Sequence, residues 1–384
     1  MSISTEQGEW GRRAADHPQA PAGADEVRRL LEACVSRAAS DLHIRPGNPP
    51  VLRVSGNLER LPEAPFDAAA AAAFCRALCN EAQWASLRES GTVDLALTYG
   101  NGERFRVSVM RERAGFSASL RRITSQLLTF EEIGIDRTTV TGLLRQTRGL
   151  ILVTGPTGSG KSTTLAAMVD WINEHLDRHI VTIEDPVEYL HRSRRSLITQ
   201  REVGSDVPSF AEAMRRVLRQ DPDVIMVGEM RDLETIATAT TAAETGHLVL
   251  GTLHTTGSAK TVSRIIDVFP PSQQEQIRVQ LAMSLLAVIS QVLVPSRQGA
   301  TDREGQPLPA RVAALEVMTA TPAVSNLIRN NEIVRMQDVI QTSRDRGMFA
   351  LDDHLLLLAG RGIIEREVAL AYSLDPRALA ARLR

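Results

Sequence analysis

The chain of 384 residues has few aromatic residues and no excess of positive charge. Aromatic side chains make up 4% of it. It contains 44 Lys and Arg residues and 46 Asp and Glu residues, which gives a formal net charge of -2. Domains that bind nucleic acid without sequence preference tend to be basic and to offer aromatic rings for base stacking. The composition therefore argues against a general nucleic-acid binder.

Cysteine is also scarce, and long apolar runs are absent. Cys75 and Cys79 lie four residues apart with no second pair at zinc-finger spacing, so we expect reduced thiols rather than a disulfide scaffold or a zinc module. No apolar run approaches the roughly 20 residues of a membrane-spanning helix, and the polar N-terminus lacks the pattern of a signal peptide. These features predict a cytoplasmic protein that contacts membranes only through partners.

The length favours two or three domains. Residues 1–24, rich in Gly, Pro and Ala, predict a disordered lead-in. Residues 25–123 predict a small α+β domain, 124–136 a polar linker, and 137–384 an α/β domain whose C-terminal part is helical from about residue 310.

Within the first domain the pattern predicts both helices and strands. We expect a helix over 24–40, a single helix over 67–89 capped by Asp67, and a meander of three strands that ends at residue 123. Two further short strands are expected at 41–45 and 51–54.

The second domain alternates apolar strands with helices, which indicates a parallel sheet covered on both faces. Its strands are expected at 151–154, 180–183, 224–227 and 248–253. A helical pattern is expected from 272 to 294 and again from Pro322 to the C-terminus.

The most informative stretch is an apolar strand, a glycine-rich turn and a helix between Gly149 and Thr164. It contains the phosphate-loop pattern of nucleoside triphosphatases, GxxxxGK[ST], without a mismatch. The glycines allow backbone N–H groups to surround phosphates, Lys161 adds a positive charge, and the Ser162 hydroxyl is placed to hold Mg²⁺. The predicted ATP-binding residues are Gly155, Pro156, Thr157, Gly158, Ser159, Gly160, Lys161, Ser162 and Thr163.

A cluster of carboxylates, Glu184, Asp185 and Glu188, follows the next predicted strand. Transfer of a phosphoryl group to water needs one carboxylate to orient the water and others near the metal. A charged loop at the end of a strand is common on protein surfaces, so it is the phosphate loop that favours the catalytic interpretation.

A third strand, at 224–227, delivers Glu229 to the position where nucleotidases usually carry an acid near the metal. Gly228 replaces the aspartate that commonly ends such a strand. We therefore expect Glu229 to reach Mg²⁺ through a water molecule.

Two histidines, His247 and His254, bracket the strand at 248–253. A metal site would need more nitrogen or sulfur ligands nearby. A histidine and two threonines after a strand instead resemble a sensor of the γ-phosphate, a role that we predict for His254 and, less directly, for His247.

Together and in this order, the four stretches resemble the bacterial secretion ATPases of type II secretion and type IV pili, which are RecA-like hexameric motors. In that family they are called the Walker A motif, Asp box, Walker B motif and His box. The segment from Leu218 to Asp232 fits the family signature LRxxPDxxxxGExRD at every fixed position. The resemblance extends from about Ala39 to Leu358 and is greatest to the PilT-type retraction ATPases.

The resemblance implies a RecA-like P-loop ATPase core with a parallel sheet, an N-terminal PAS-like α+β domain and a helical C-terminal part. It implies ATP hydrolysis with Mg²⁺, with Lys161 on the phosphates, Glu188 orienting water, Glu229 as Walker B acid and metal-side group, and His254 as sensor. Glu184 and Asp185 of the Asp box, with His247, would support them.

Arginines of the small domain are expected to reach the nucleotide at a boundary between subunits. Our candidates are Arg106, Arg113 and Arg121, of which Arg113 and Arg121 are assigned catalytic roles, and Arg111 and Arg122 remain open.

The family also implies a homo-hexamer at the cytoplasmic side of the inner membrane. Its partners would be the pilus platform protein and, in some systems, a second pilus ATPase. Nucleic acid is not expected as a partner.

One segment departs from the retraction ATPases. Their late helix usually reads AIRNLIRE, whereas here Ser325 replaces the arginine and Asn330 the glutamate. This departure fits an accessory motor of the PilU kind or a divergent PilT. A pilus-assembly or type II secretion ATPase, a non-hydrolysing regulatory subunit and a nucleic-acid translocase remain as further alternatives.

Overall fold

The structure is a computed structural model that describes residues 23–54, 56–100, 103–123, 127–301, 305 and 307–383. The predicted lead-in lies outside the described residues up to position 22, as does the start of the predicted linker at 124–126. Contacts divide the chain into two units: the first extends to residue 126 and includes 188–190, and the second comprises the remainder. Within the described ranges, no helix has both the length and the apolar character needed to cross a bilayer.

The first unit contains a six-stranded antiparallel sheet with strand order β3-β2-β1-β6-β5-β4. Its elements are α1 (Ala24–Ser36), β1 (Asp41–Ile44), β2 (Val51–Val54), β3 (Asn57–Arg60), α2 (Ala68–Leu78), α3 (Glu81–Ser90), β4 (Thr92–Tyr99), β5 (Glu103–Glu112) and β6 (Gly115–Ile123).

Strands β4, β5 and β6 confirm the predicted meander. The alternation of buried and exposed side chains along β5 shows which face of the strand packs in the core. Phe105, Val107 and Val109 are fully buried, while Arg106 between them is exposed. Successive side chains on a strand point to opposite faces, so this pattern places one face of β5 in the apolar core with the helices. Leu30 and Phe74, from α1 and α2, belong to the same core.

The single helix predicted over 67–89 is wrong, because two helices with separate caps occupy this segment. Asp67 caps α2 as expected, accepting a hydrogen bond from the Ala70 N–H at 2.7 Å. Asn80 then starts α3 through a reciprocal capping box with Gln83. The asparagine side chain satisfies helix N–H groups that have no other partner, so a second helix begins where the first one ends.

The three cysteines are all buried and free. Burial raises the pKa of the Cys75 thiol to about 12. A thiol that stays protonated is a poor nucleophile and a poor metal ligand, which supports a structural role within the core.

The second unit contains a seven-stranded sheet with strand order β13-β12-β7-β11-β10-β8-β9, parallel except for the β12–β13 pair. Its elements are α4 (Phe130–Ile133), α5 (Arg137–Leu144), β7 (Gly149–Thr154), α6 (Lys161–His175), β8 (His179–Glu184), β9 (Leu197–Glu202), α7 (Phe210–Val217), β10 (Val224–Val227), α8 (Leu233–Thr245), β11 (Leu248–Leu253), α9 (Ser258–Asp267), α10 (Pro271–Ser284), β12 (Leu285–Pro295), β13 (Arg311–Thr319), α11 (Pro322–Arg329), α12 (Met336–Thr342), α13 (Leu351–Gly360), α14 (Arg366–Tyr372) and α15 (Pro376–Arg382).

The helix expected over 272–294 is correct only as far as Ser284, because Leu285–Pro295 forms strand β12. The start of the helical C-terminal part at about residue 310 is also wrong, since Arg311–Thr319 forms strand β13 and the helices resume at Pro322. A continuous apolar run fits a buried strand as well as a buried helix. In the structure this run forms a strand, because it pairs with β7 on one side and with β13 on the other.

The four predicted strands of this sheet are confirmed by β7, β8, β10 and β11, which run in parallel. Their carboxyl ends therefore lie at one edge of the sheet. The glycine-rich turn, Glu184 and Asp185, Glu229 and His254 lie at or directly after these ends in the chain, so the fold brings them to this edge.

His354, on α13, connects the C-terminal helices to the edge strand β13. Its Nδ1 atom accepts a hydrogen bond from the Leu315 N–H at 2.9 Å, and the residue is only 9% exposed. Burial, aided by the nearby charge of Arg361, lowers the pKa of this histidine from 6.5 to about 4. The neutral ring is the form that can accept the hydrogen bond.

This low pKa predicts that His354 stabilises the fold fully above pH 6.5 and that the stabilisation is lost as the pH falls towards 4. Between these values the unfolded chain binds the proton more tightly, and at pH 5 linkage gives a loss of about 2 kcal/mol in the free energy of unfolding. His354→Asn retains an acceptor without titrating. Urea unfolding at pH 7 and pH 5 should show a smaller pH-dependent loss in this variant, and an equal loss would contradict the assignment.

Candidate nucleotide site

The phosphate loop follows β7 and packs against the neighbouring strand β12. Gly155 has φ 143°, and a Cβ atom there would lie 2.1 Å from the Gln291 carbonyl oxygen. Gly160, with φ 89°, immediately precedes α6, whose first turn has no side-chain cap. A helix start that follows a glycine-rich turn is the arrangement that binds phosphate in nucleoside triphosphatases, because the helix dipole and backbone N–H groups point towards the anion.

Lys161 lies over this loop. Its Nζ atom donates hydrogen bonds to the carbonyl oxygens of Gly155, at 2.9 Å, and Pro156, at 3.0 Å. Ser162 is exposed, and Thr163 is half-buried. The charged amine thus stands beside the loop backbone, where its flexible stem allows it to move to a phosphate oxygen.

Gln291 is a contributor that the sequence did not reveal, because we expected a helix at its position. It is, with Ser290, one of two buried polar residues on a mostly apolar strand, and its side chain bonds both the phosphate loop and α6. The polar pair Ser290–Gln291 inside an apolar run was the available signal.

Glu184, the last residue of β8, and Asp185, which follows it, lie in different environments. Glu184 is 8% exposed, and its Oε1 atom accepts hydrogen bonds from the Thr182 hydroxyl at 2.7 Å and the Gln200 amide at 3.1 Å. Asp185, the next residue, is exposed. Glu184 is therefore held by neighbouring side chains at the end of its strand.

By its contacts, Glu188 belongs to the first unit of the chain. Its Oε1 atom lies 3.8 Å from a guanidinium nitrogen of Arg106, and its side chain is about one-third exposed. This carboxylate therefore retains access to solvent, whereas Glu184 is buried.

Glu229 and His254 come together after strands β10 and β11. The His254 Nε2 atom lies 2.6 Å from Glu229 Oε1, and the Arg231 guanidinium hydrogen-bonds the same oxygen. Burial alone raises the pKa of Glu229, but Arg231 and His254 outweigh it and the net pKa is below the usual value. The carboxylate therefore remains ionised at neutral pH.

The backbone on both sides of Glu229 is tied to β11. The Thr252 hydroxyl donates to the Gly228 carbonyl at 2.5 Å, and the Met230 N–H donates to the Thr252 carbonyl at 3.0 Å. A Cβ atom at Gly228 would lie 3.2 Å from the Ile183 carbonyl oxygen. A side chain at this position would therefore crowd the end of β8.

His247 is not brought to the phosphate loop within the chain. It precedes β11, and the register pairs Leu248 with Gly149 at the start of β7 and Leu253 with Thr154 at its end. Its Nδ1 atom lies 3.1 Å from the Ala242 carbonyl at the end of α8. His254 and His247 thus lie at opposite ends of the same strand, and only His254 shares an edge with the loop.

The candidate arginines of the first unit differ in their surroundings. Arg122 forms a two-pronged ion pair with Glu103, at 2.8 and 2.9 Å. Arg121 bonds Asp41 at 2.8 Å, although its side chain is 73% exposed. Arg113 lies exposed in the turn between β5 and β6. Arg111 donates to the Arg88 carbonyl at 3.3 Å.

Of these arginines, Arg111, Arg113 and Arg121 are exposed. The two-pronged pair with Glu103, by contrast, holds Arg122 in a structural contact, as expected for a planar guanidinium facing a carboxylate.

Comparison with known proteins assigns the chain to a family. The family model described as "Type II/IV secretion system protein" matches residues 22–352. The type IV pilus retraction ATPase PilT of Pseudomonas aeruginosa is 45% identical over 90% of this chain and 97% of its own length. A twitching motility protein of Neisseria gonorrhoeae is 46% identical over 83% of each chain.

A solved structure of the pilus retraction motor PilT with bound ADP is also similar. It has a TM-score of 0.84 and 40% sequence identity, covering 92% of this chain and 98% of that one. The chain belongs to the type II/IV secretion system protein family, and its α/β fold is that of this pilus motor.

The close approach at Gly155 predicts a difference between two loop glycines. Gly155→Ala should lower the thermal unfolding midpoint much more than Gly158→Ala, because a Cβ at 155 meets backbone at 2.1 Å and one at 158 meets open space. Both positions have positive φ, so the control also carries backbone strain, although Gly155 at φ 143° lies further than Gly158 at φ 76° from the left-handed region that alanine can adopt. Equal unfolding midpoints by calorimetry would show that the packing of this loop on β12 does not limit the stability of the fold.

Proposed function

We propose that this protein is a motor that hydrolyses ATP and powers the retraction of type IV pili, and thereby twitching motility. The observation that carries the proposal is the shared sheet edge. An uncapped helix start with Lys161 and an ionised Glu229 beside His254 lie there, in a chain that matches a retraction ATPase along nearly its whole length.

In this proposal the phosphates of ATP bind the N–H groups of residues 155–163. Lys161 exchanges its carbonyl partners for phosphate oxygens, which carry full negative charge and are stronger acceptors. The start of α6 adds the positive end of the helix dipole.

The residues present fit Mg²⁺, which prefers oxygen ligands and retains several waters. The exposed Ser162 hydroxyl would bind it directly, and the Glu229 carboxylate, ionised and paired with His254, would bind it through water. When bound, the ion neutralises charge that develops on the phosphates.

Glu188 is our candidate for the group that orients the attacking water. Glu184 is less suited, because Thr182 and Gln200 already bond its Oε1 atom and its side chain is buried. Asp185 and His247 would have supporting roles in binding or interface formation.

His254 would sense the γ-phosphate through its bond to Glu229. Loss of that phosphate changes the charge beside the pair, and an electrostatic change of this kind can release a closed interface. Arg113 and Arg121, two of the exposed arginines of the first unit, would reach the nucleotide of a neighbouring subunit.

We further propose a homo-hexamer in the cytoplasm at the inner membrane, where it would act on the pilus platform protein with or without a second pilus ATPase. Membrane contact would be made through these partners. Ser325 and Asn330 lie on and directly after α11, where Asn330 serves as an exposed C-cap. Their departures would affect partner choice rather than nucleotide binding.

Glu188→Ala is expected to retain nucleotide binding while slowing ATP turnover by at least about 100-fold, because general-base positioning is worth that much in rate. Glu234→Gln, at an exposed carboxylate on α8, provides a control that should hydrolyse ATP normally. Steady-state phosphate release measures both. Near-normal turnover of the Glu188 variant would transfer the role to Glu184 or Glu229.

The function itself is tested in cells that lack the protein and in cells that carry Lys161→Ala. Excess surface pili with lost twitching in both strains are expected for a retraction motor, since pili would assemble but not withdraw. Bald cells would instead indicate an assembly ATPase, and unchanged pili an accessory motor or another machine. Stimulation of the purified ATPase by DNA or RNA would favour a translocase.

A further inference from the structure

Strand β12 places a buried amide directly beside the phosphate loop. Gln291 is 2% exposed, and its neighbours along the strand are apolar or small. A buried polar side chain is costly unless it is hydrogen-bonded, so its partners indicate its purpose.

Both ends of the Gln291 amide are bonded, each to a different part of the site. The Nε2 atom donates to the Ser159 carbonyl at 2.6 Å, and the Oε1 atom accepts from the Thr164 hydroxyl at 2.9 Å. Ser159 belongs to the phosphate loop, and Thr164 lies in the first turn of α6. One side chain therefore ties the loop to the helix that follows it.

The bond to the Ser159 carbonyl also fixes the next N–H group. The peptide unit is planar and trans, so the N–H of Gly160 points away from the carbonyl that Gln291 holds. That N–H lies at the start of α6, among the groups that would bind phosphate.

We propose that Gln291 is a positioning residue that presents the Gly160 N–H to the nucleotide phosphates and holds the loop open before ATP binds. The backbone of Gln291 contributes too, because its carbonyl oxygen packs against Gly155 so closely that a Cβ there would lie 2.1 Å away. Gln291 therefore contacts the loop near both ends, at Gly155 and at Ser159.

An apolar residue of similar length separates this role from simple core packing. Gln291→Met would fill the space but leave the Ser159 carbonyl and the Thr164 hydroxyl without their bonds. Ile289→Val is the matched control, since Ile289 lies two residues away on the same face of β12 and is fully buried.

The test measures the affinity for a fluorescent ADP analogue together with KM and kcat for ATP. In Gln291→Met, Kd and KM should rise about tenfold, as expected for two lost hydrogen bonds, with a smaller change in kcat. Ile289→Val should leave both near wild type. Thr164→Val should weaken binding less, and in the double variant the two effects should fall short of additivity, because both substitutions remove the same bond.

The role of Gln291 rests on the proposed nucleotide site. The variant Lys161→Ala distinguishes a failure of that role from a failure of the nucleotide site itself. If Lys161→Ala binds the analogue as wild type does, the phosphate-loop assignment itself fails. If Lys161→Ala loses binding while Gln291→Met and Thr164→Val retain the affinity of Ile289→Val, only the role of Gln291 is overturned. The Thr164 variant, which removes one hydroxyl, serves as the second measurement if the methionine variant does not fold.

Discussion

The packing of the phosphate loop on strand β12 is the contact on which the candidate site depends. At Gly155 the loop approaches the Gln291 backbone too closely for any side chain, and at Ser159 it accepts a hydrogen bond from the same residue. A glycine-rich loop has high conformational entropy when free. A rigid neighbouring strand removes that freedom before the ligand arrives, so less of the binding energy is spent on ordering the loop.

The parallel sheet supplies the second constraint. Strands β7, β10 and β11 end at one edge, and the Glu229–His254 pair forms there because Thr252 ties the ends of β10 and β11 together. An acid and a base that are far apart in sequence thus meet at hydrogen-bonding distance. Arg231 adds a further positive charge that keeps the acid ionised despite its burial.

The errors of the sequence analysis arose where local pattern and tertiary context disagree or where a local signal went unused. The break between α2 and α3 was encoded locally, by the capping box of Asn80 and Gln83. Strand β12, by contrast, could not be told from a helix, because a buried apolar run has no periodicity to read. Its strand character comes from pairing with β7, whose residues lie more than a hundred positions earlier.

Residue type at short spacing was enough to predict the four strands β7, β8, β10 and β11, the phosphate loop and the family signature from the sequence. The tertiary structure was needed to show that Gln291 braces the loop, that Gly228 lies close against the end of β8, and that His254 rather than His247 shares the sheet edge of the phosphate loop. Those facts depend on which strands become neighbours. Strand order is set by packing over the whole sheet, and no short stretch of residues specifies it.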